Sequence, residues 1–202
     1  MKIWEKIAGV KLWICGLLLP FLAGAGCAYL SPGYIEPKEF DLAVAATPLT
    51  GMRFQLGTFR NLSGSDRRFL YRGKDERMLA DDYNRWLLTP DLMLERQFHK
   101  ALFPRETRCS EQDRLLRLDG TIYRFEFDRT KRTAILSVDY TIRIFNNRRP
   151  AGVSSLSVTT EKPILGETSA SAAAAMSGCV SESVARVRKF LIEINAGAQT
   201  AK

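Results

Sequence analysis

The stretch AILSVDYTIRI (residues 134–144) decides the fold, because apolar and polar residues alternate along it. Its even-numbered positions, from Ala134 to Ile144, are apolar, and its odd-numbered positions from Ser137 to Arg143 are polar. Successive side chains of a β-strand point to opposite faces of a sheet, so this alternation predicts a strand with one buried face and one solvated face.

Further strands precede and follow this stretch. Residues 116–127 are rich in leucine, isoleucine and aromatic residues, and a polar turn at residues 128–132 joins them to the central strand. A second polar turn at residues 146–149 leads into a strand at residues 153–160. Long strands joined by short turns indicate an antiparallel meander. Shorter strands are predicted upstream, at residues 53–59, 69–72 and 78–80.

Two helices complete the predicted domain. Thr89-Pro90-Asp91 is typical of a helix start, because threonine can cap, proline suits the first position and aspartate meets the positive end of the dipole. Apolar residues recur at three- and four-residue steps between Ser169 and Ile194, which predicts a long second helix. We therefore expect an α+β fold, a mainly antiparallel sheet with two principal helices packed on one face.

The N-terminal segment is typical of a secretory signal. Lysines are followed by an apolar run at residues 12–19 and then by small residues from Ala23 to Gly26. The apolar run is shorter than the ~20 residues that a membrane-spanning helix needs, and Pro20 would interrupt such a helix. An uncleaved segment that tethers the chain to the membrane is the alternative.

The residues around Cys27 resemble a bacterial lipobox, in which the cysteine thiol is acylated before the signal is removed. Ala25 and Gly26 fit this pattern, whereas Gly24 stands where leucine is usual. Cys27 is therefore the predicted lipidation site, and Ala28 after it favours, by the same resemblance, sorting to the outer membrane. An ordinary signal peptide cleaved near Ala25 is the alternative, and it would leave Cys27 as a thiol.

These features divide the chain into four segments. A stretch with several prolines and little periodicity follows Cys27, and it indicates an extended, mobile tether. The predicted segments are a lipoprotein signal peptide, a lipidated flexible tether, a periplasmic domain and a disordered tail, at residues 1–26, 27–50, 51–195 and 196–202.

Charge and cysteine content exclude several classes of function. The formal net charge is +8, but a basic protein outside the cytoplasm does not meet nucleic acid, so acidic lipids or acidic protein surfaces are the expected partners. With Cys15 removed and Cys27 acylated, Cys109 and Cys179 remain as a candidate disulfide pair in an oxidising compartment. The only histidine is His99, and no Cys-x-x-Cys spacing occurs, so no metal site is predicted.

The sequence predicts neither a catalytic site nor a cofactor. It contains no Gly-x-Ser-x-Gly nucleophile elbow and no glycine-rich phosphate loop. Its nearest paired carboxylates are Asp81-Asp82 and the pair Asp91 and Glu95, for which no partner base can be identified. We therefore expect a non-catalytic protein.

Several segments follow one another as in a known group of lipoproteins. They are Tyr71-Arg72, the Tyr-x-x-Trp pattern at residues 82–86, the helix at residues 92–102, the strand around Leu118-Asp119-Gly120 and the helix at residues 172–191. In this order they resemble the ABC-type transport auxiliary lipoprotein component family. Leucine and threonine follow the tryptophan here, whereas the family commonly has Ala-Glu-Pro-Leu.

The resemblance implies a non-catalytic accessory of an ABC / mammalian-cell-entry type lipid transport system across the Gram-negative envelope. The implied partners are a mammalian-cell-entry domain protein and an inner-membrane ABC permease complex. Palmitate on Cys27 would anchor the chain in the outer membrane, facing the periplasm, and a homo-oligomer is also implied. A lipoprotein regulator of a cell-wall synthase, or of another envelope assembly complex, is the alternative.

Arg72, Tyr83, Arg85 and Trp86 are the candidate residues of a partner interface. Tryptophan is enriched in binding hot spots, although Trp86 could instead pack in the core beneath the following helix. The guanidinium groups of Arg72 and Arg85 suit an acidic partner or a lipid phosphate, because arginine binds such groups bidentately. Surface salt bridges are the alternative for both arginines.

Overall fold

The predicted meander forms the centre of a larger sheet. The computed structural model of the chain describes residues 34–103 and 114–197. Within these ranges the elements, in chain order, are β1 (Lys38–Phe40), β2 (Arg53–Asn61), β3 (Arg68–Arg72), β4 (Met78–Trp86), α1 (Pro90–Leu102), β5 (Arg114–Asp128), β6 (Thr133–Asn146), β7 (Arg149–Pro163) and α2 (Ser169–Gly197).

The sheet is mixed and has β5 near its middle. The strands lie in the order β1-β4-β3-β5-β6-β7, and β2 pairs with β5 on the same edge as β3. The β3–β4, β5–β6 and β6–β7 pairs are antiparallel, whereas β1–β4, β2–β5 and β3–β5 are parallel. The chain between β3 and β5 contains α1, which supplies the crossover that a parallel pair requires.

Both helices pack on the face of the sheet that the alternation predicts to be buried. The Tyr140 hydroxyl of β6 lies 2.7 Å from the Ser183 hydroxyl of α2, and its ring centroid lies 5.4 Å from that of Phe98 in α1. The even-numbered residues of β6 from Ala134 to Ile142 are fully buried on this face. The predicted α+β fold, with two helices on one face, is therefore confirmed.

The first helix begins where the sequence predicts, but its cap differs. α1 starts at Pro90, and the Thr89 hydroxyl makes no capping hydrogen bond to the described helix. The Thr89 carbonyl instead accepts a hydrogen bond from the Met93 N–H at 2.9 Å. The backbone and the fixed φ of Pro90 therefore define this end of the helix.

A segment upstream of β2, residues 41–49, caps the end of α1; we call it the strap. Its Thr47 and Leu49 N–H groups donate to the carbonyls of Ala101 and Leu102, each at 2.8 Å. These carbonyls belong to the last four of α1, which have no partner within the helix. The strap therefore satisfies backbone groups that the helix leaves unpaired.

The strap corrects the predicted domain boundaries. Leu42 and Val44 are buried, and the strap donates a backbone hydrogen bond to the Ser177 hydroxyl of α2 at 3.1 Å. With β1 upstream of it, the compact unit begins at Pro37. The prediction of a flexible tether over residues 27–50 is therefore wrong for its C-terminal part, and the domain does not start at residue 51.

Other predicted boundaries fall partly outside the described residues. α2 continues to Gly197, so the first two residues of the predicted tail at 196–202 are helical. The predicted signal peptide and Cys27 lie outside the described residues. Of the helices within those residues, none has the length and apolarity needed to cross a membrane.

Trp86 lies in an aromatic cluster that joins β3 and β4 to β5. Its ring centroid is 4.4 Å from that of Phe69 and 5.2 Å from that of Phe125, and the Phe127 ring lies 5.1 Å from Phe69. These four side chains are at most 1% exposed. Because β3 pairs with β5 at only two positions, this packing strengthens the attachment of the β3–β4 hairpin to the meander.

Replacement of Trp86 by alanine tests the role of this cluster. We expect Trp86→Ala to lower the free energy of unfolding by about 3–5 kcal/mol, because it leaves a cavity among buried rings. The control is Tyr83→Ala on the same strand; Tyr83 is 56% exposed, so we expect a change within about 0.5 kcal/mol. Urea unfolding measures both values. Equal losses would contradict the core position of Trp86.

Candidate partner-binding surface

The sheet face opposite the two helices is polar, and we call it the open face. Its side chains alternate with the core residues of β5, β6 and β7, so they point away from α1 and α2. Most of these positions are exposed or half-buried. The open face includes Arg117, Asp119, Thr121, Ser137, Asp139, Thr141, Arg143, Ser155, Ser157 and Thr159.

Asp119 organises one half of the open face. Its Oδ1 accepts a hydrogen bond from the Thr58 N–H at 2.9 Å, where the β2–β5 register shifts. The Arg117 Nε lies 3.6 Å from Oδ1, and the Arg143 Nε lies 3.4 Å from Oδ2. A Cβ at Gly57 would lie 2.1 Å from Oδ1, so glycine leaves the room that this carboxylate needs. The cluster holds two guanidinium groups in place across neighbouring strands.

Arg72, a predicted interface residue, is held in a buried ion pair instead. Its Nε and Nη2 atoms donate to the two carboxylate oxygens of Glu126 at 2.8 and 3.0 Å, and Arg124 donates to the same carboxylate at 2.6 Å. Glu126 is 2% exposed. Burial raises the pKa of Glu126, but the hydrogen bonds from Arg72 and Arg124 outweigh it, so the pKa lies below its usual 4.5. Arg72 therefore supports the fold.

The other predicted interface residues do not form one surface with Arg72. Arg72 pairs with Met78, at the opposite end of β4 from Trp86. Trp86 is fully buried, so its predicted interface role is wrong and the core alternative is confirmed. Tyr83 is exposed, and Arg85 donates to a backbone carbonyl of β4 at 3.2 Å. A partner role for these two residues stays a prediction.

Cys179, one half of the predicted disulfide, has a free thiol within the described structure. It is fully buried, and its Sγ donates to the Ala134 carbonyl at 3.3 Å and lies 3.7 Å from the Thr160 carbonyl. Burial raises the pKa of this thiol to about 11. Its predicted partner, Cys109, lies outside the described residues. Because Cys179 is enclosed between α2 and the sheet, we expect it to stay reduced, and the predicted disulfide is left to experiment.

A cavity of about 420 Å³ lies at the end of β5, next to the first turn of α2. Tyr71 contributes an aromatic wall, and the Arg129 guanidinium carbon lies 4.6 Å from the centroid of its ring. Arg132 donates to the Gly166 carbonyl at 2.9 Å. Both arginines are therefore engaged by the protein itself, and we favour the open face as the binding surface.

Metal-binding side chains do not converge in the described part of the chain. No group of three or more histidine, cysteine, aspartate or glutamate side chains that could hold an ion is found there. His99 is exposed and stacks on Phe103, with ring centroids 4.7 Å apart. The histidine thus lies at the helix surface.

Glu126 gives the stability of the fold a predicted pH dependence. Its pKa is depressed in the folded protein, so its contribution is present above about pH 4.5 and is lost as the pH falls through the folded pKa. We expect Glu126→Gln to lower the free energy of unfolding by about 1–3 kcal/mol at pH 7, and by less at about pH 3.5.

The matched control for Glu126→Gln is Glu76→Gln. The Glu76 carboxylate also pairs with Arg72, but its side chain is 78% exposed, so we expect a smaller change. Urea unfolding at the two pH values measures both variants. A Glu126→Gln deficit that is the same at both pH values would contradict the assignment.

Alkylation tests the state of Cys179. In the folded protein we expect iodoacetamide to leave Cys179 unmodified, because the thiol is buried and its pKa is raised, and we expect full modification after unfolding in urea. Mass spectrometry of peptides measures the extent. A peptide linking Cys179 to Cys109 in the unreduced protein would show that the predicted disulfide forms.

Comparison with known proteins shows that solved structures share this fold. No family model and no curated protein match the chain. The crystal structure of an uncharacterized protein is similar with a TM-score of 0.57 and 10% identity, covering 77% of this chain and 99% of that chain. Protein XCC0632 from Xanthomonas campestris, described by the family DUF330, is similar with a TM-score of 0.54 and 15% identity, covering 80% of this chain and 99% of that chain. At such identities the likeness shows a shared fold.

Proposed function

We propose that this chain is a non-catalytic outer-membrane lipoprotein, similar to the paraquat-inducible lipoprotein C, that acts as an accessory of an ABC / mammalian-cell-entry type lipid transport system. Acyl chains on Cys27 hold it at the membrane, where several chains anchor more stably than one. The family resemblance supports this proposal, and the fold shared with a DUF330 protein is compatible with it. The chain acts by binding and positioning.

The open face gives the proposal its main structural support. It is broad and polar, and the described helices cover only the opposite face. Arg143, Ser155 and Ser157 are exposed on it, so a partner can bind without disturbing the core. Charged and polar groups on such a surface set specificity and the rate of association. A periplasmic mammalian-cell-entry domain protein is the partner that we assign to it.

The edge of β7 supports the proposed assembly of several copies. β7 ends the strand order, so one of its edges pairs with no strand in the described part of the chain. The strand is 15 residues long, and Val153 on it is 69% exposed. Unpaired backbone groups along such an edge can pair with a strand of another chain. We therefore expect copies of the chain to pair along β7 and form a homo-oligomer.

Photo-crosslinking in intact cells tests the proposed partner. A photoreactive amino acid at Ser157, on the open face, should capture a mammalian-cell-entry domain protein, identified by mass spectrometry. The control position is Lys189 on α2, whose side chain is 81% exposed, and we expect at most a tenth of the capture there. Equal capture at both positions would contradict the assignment of the open face.

The same experiment separates the proposal from its rival. If the protein captured through Ser157 is a cell-wall synthase, and no transporter component is found, the chain is a regulator of that synthase. The lipid anchor and the fold are compatible with both functions, so only the identity of the captured protein decides between them.

A further inference from the structure

A concavity on the open face, beside the turn between β6 and β7, is lined by arginines. Its volume is about 180 Å³, and we call it the arginine pocket; it is lined by Arg53, Gln55, Leu115, Arg117, Phe145 and Arg148. These residues come from three strands and a turn, so only the folded sheet brings the guanidinium groups together. We propose that the arginine pocket binds a phosphate anion, such as the headgroup phosphate of a phospholipid.

The guanidinium groups have hydrogen-bonding capacity left for a ligand. Within the described residues, the side chains of Arg53 and Arg148 make no hydrogen bond or ion pair. The Arg117 Nε is buried and lies 3.6 Å from the Asp119 Oδ1, so this guanidinium adds positive charge to the pocket while it is paired with Asp119. Arginine donates to phosphate oxygens in charge-assisted, bidentate hydrogen bonds, and the Gln55 amide is a further donor. The pocket is therefore rich in donors that the protein does not use itself.

The charge and size of the pocket also favour a phosphate. Arg143 stands opposite Arg117 in the strand register, and both lie within 4 Å of the Asp119 carboxylate, whereas the described lining of the pocket itself holds three arginines and no carboxylate. Leu115 and Phe145 line the same space and lower the local polarity, which strengthens an ionic hydrogen bond. The volume of about 180 Å³ leaves room for a phosphate group.

The backbone at Arg148 provides an independent observation. Asn147 and Arg148 form the turn with φ of 49° and 65°, as in a type I′ hairpin turn, which favours Asn-Gly. Asn147 suits its position, but Arg148 stands where glycine is preferred, and a non-glycine residue in this conformation is strained. Strain of this kind collects at functional sites, and the pocket gives the Arg148 side chain a function that glycine would lack.

Calorimetric titration of the detergent-solubilised full chain tests the proposal, with inorganic phosphate and dihexanoyl phosphatidic acid as probes. The first variant is Arg148→Gly, which we expect to bind both probes at least tenfold more weakly while its melting temperature stays equal or rises. Arg53→Gln should weaken binding in the same direction. The control is Arg60→Gln, an exposed arginine of β2 outside the pocket, which should bind like the unaltered chain.

Each outcome decides one question. Dihexanoyl phosphatidic acid that binds more tightly than phosphate supports a lipid headgroup as the natural ligand, and equal affinities support free phosphate. No binding of either probe, or unchanged binding by Arg148→Gly, would overturn the proposal. Only the choice of a lipid headgroup as the natural ligand rests on the proposed function. If phosphate binds but no transporter component is captured through Ser157, the transport function is refuted. The arginine pocket then remains a phosphate-binding site.

Discussion

The burial of the even-numbered side chains of β6 is the interaction on which the rest of the structure depends. The residues from Ala134 to Ile142 on this face are fully buried beneath two helices, and a large buried aliphatic side chain contributes about 1.5–3 kcal/mol. β6 pairs along its length with both β5 and β7. A shift of one residue would turn all of these side chains to the solvent, so this strand sets the register of the meander.

The open face is the other consequence of the same alternation. Side chains that do not face the helices are free to carry charge, and Asp119 and its two arginines occupy that side. In the helix–sheet layer Tyr140 pairs with Ser183, and the Thr160 hydroxyl pairs with the Cys179 carbonyl. The sheet thus separates a face that holds the fold together from a face that is available for binding.

The long elements of this fold could be predicted from sequence because their signals are local. Alternation identified β6, and helical spacing identified both helices. β1 and the strap could not be predicted, since their structure depends on backbone hydrogen bonds to β4 and α1, distant in sequence. The parallel strand pairs could not be predicted either, because they join segments that are distant in sequence. The prolines predicted a mobile segment in the strap region, but Leu42 and Val44 are buried there and hold the strap against the domain.

The proposed binding surface was harder to predict than the fold. The pattern around Trp86 suggested an interface, yet packing against Phe69 and Phe125 buries that residue. The polar positions of β6 indicated a solvated face, but only the register with β5 brings Arg143 to Asp119. Side chains that meet across strands leave no signal in a single sequence. A polar alternate face on several adjacent strands is the sign that would have indicated this surface.

We propose that the open face binds a partner and contributes little to folding. The most direct test is the amount of mammalian-cell-entry protein that co-purifies with a Ser155→Lys, Ser157→Lys chain, in which the new charge at 157 lies opposite Asp139. Both positions are exposed on β7, so the melting temperature should stay close to that of the unaltered chain. We expect at least a tenfold loss of the co-purifying protein while the melting temperature stays unchanged. An undiminished amount would contradict partner binding at the open face.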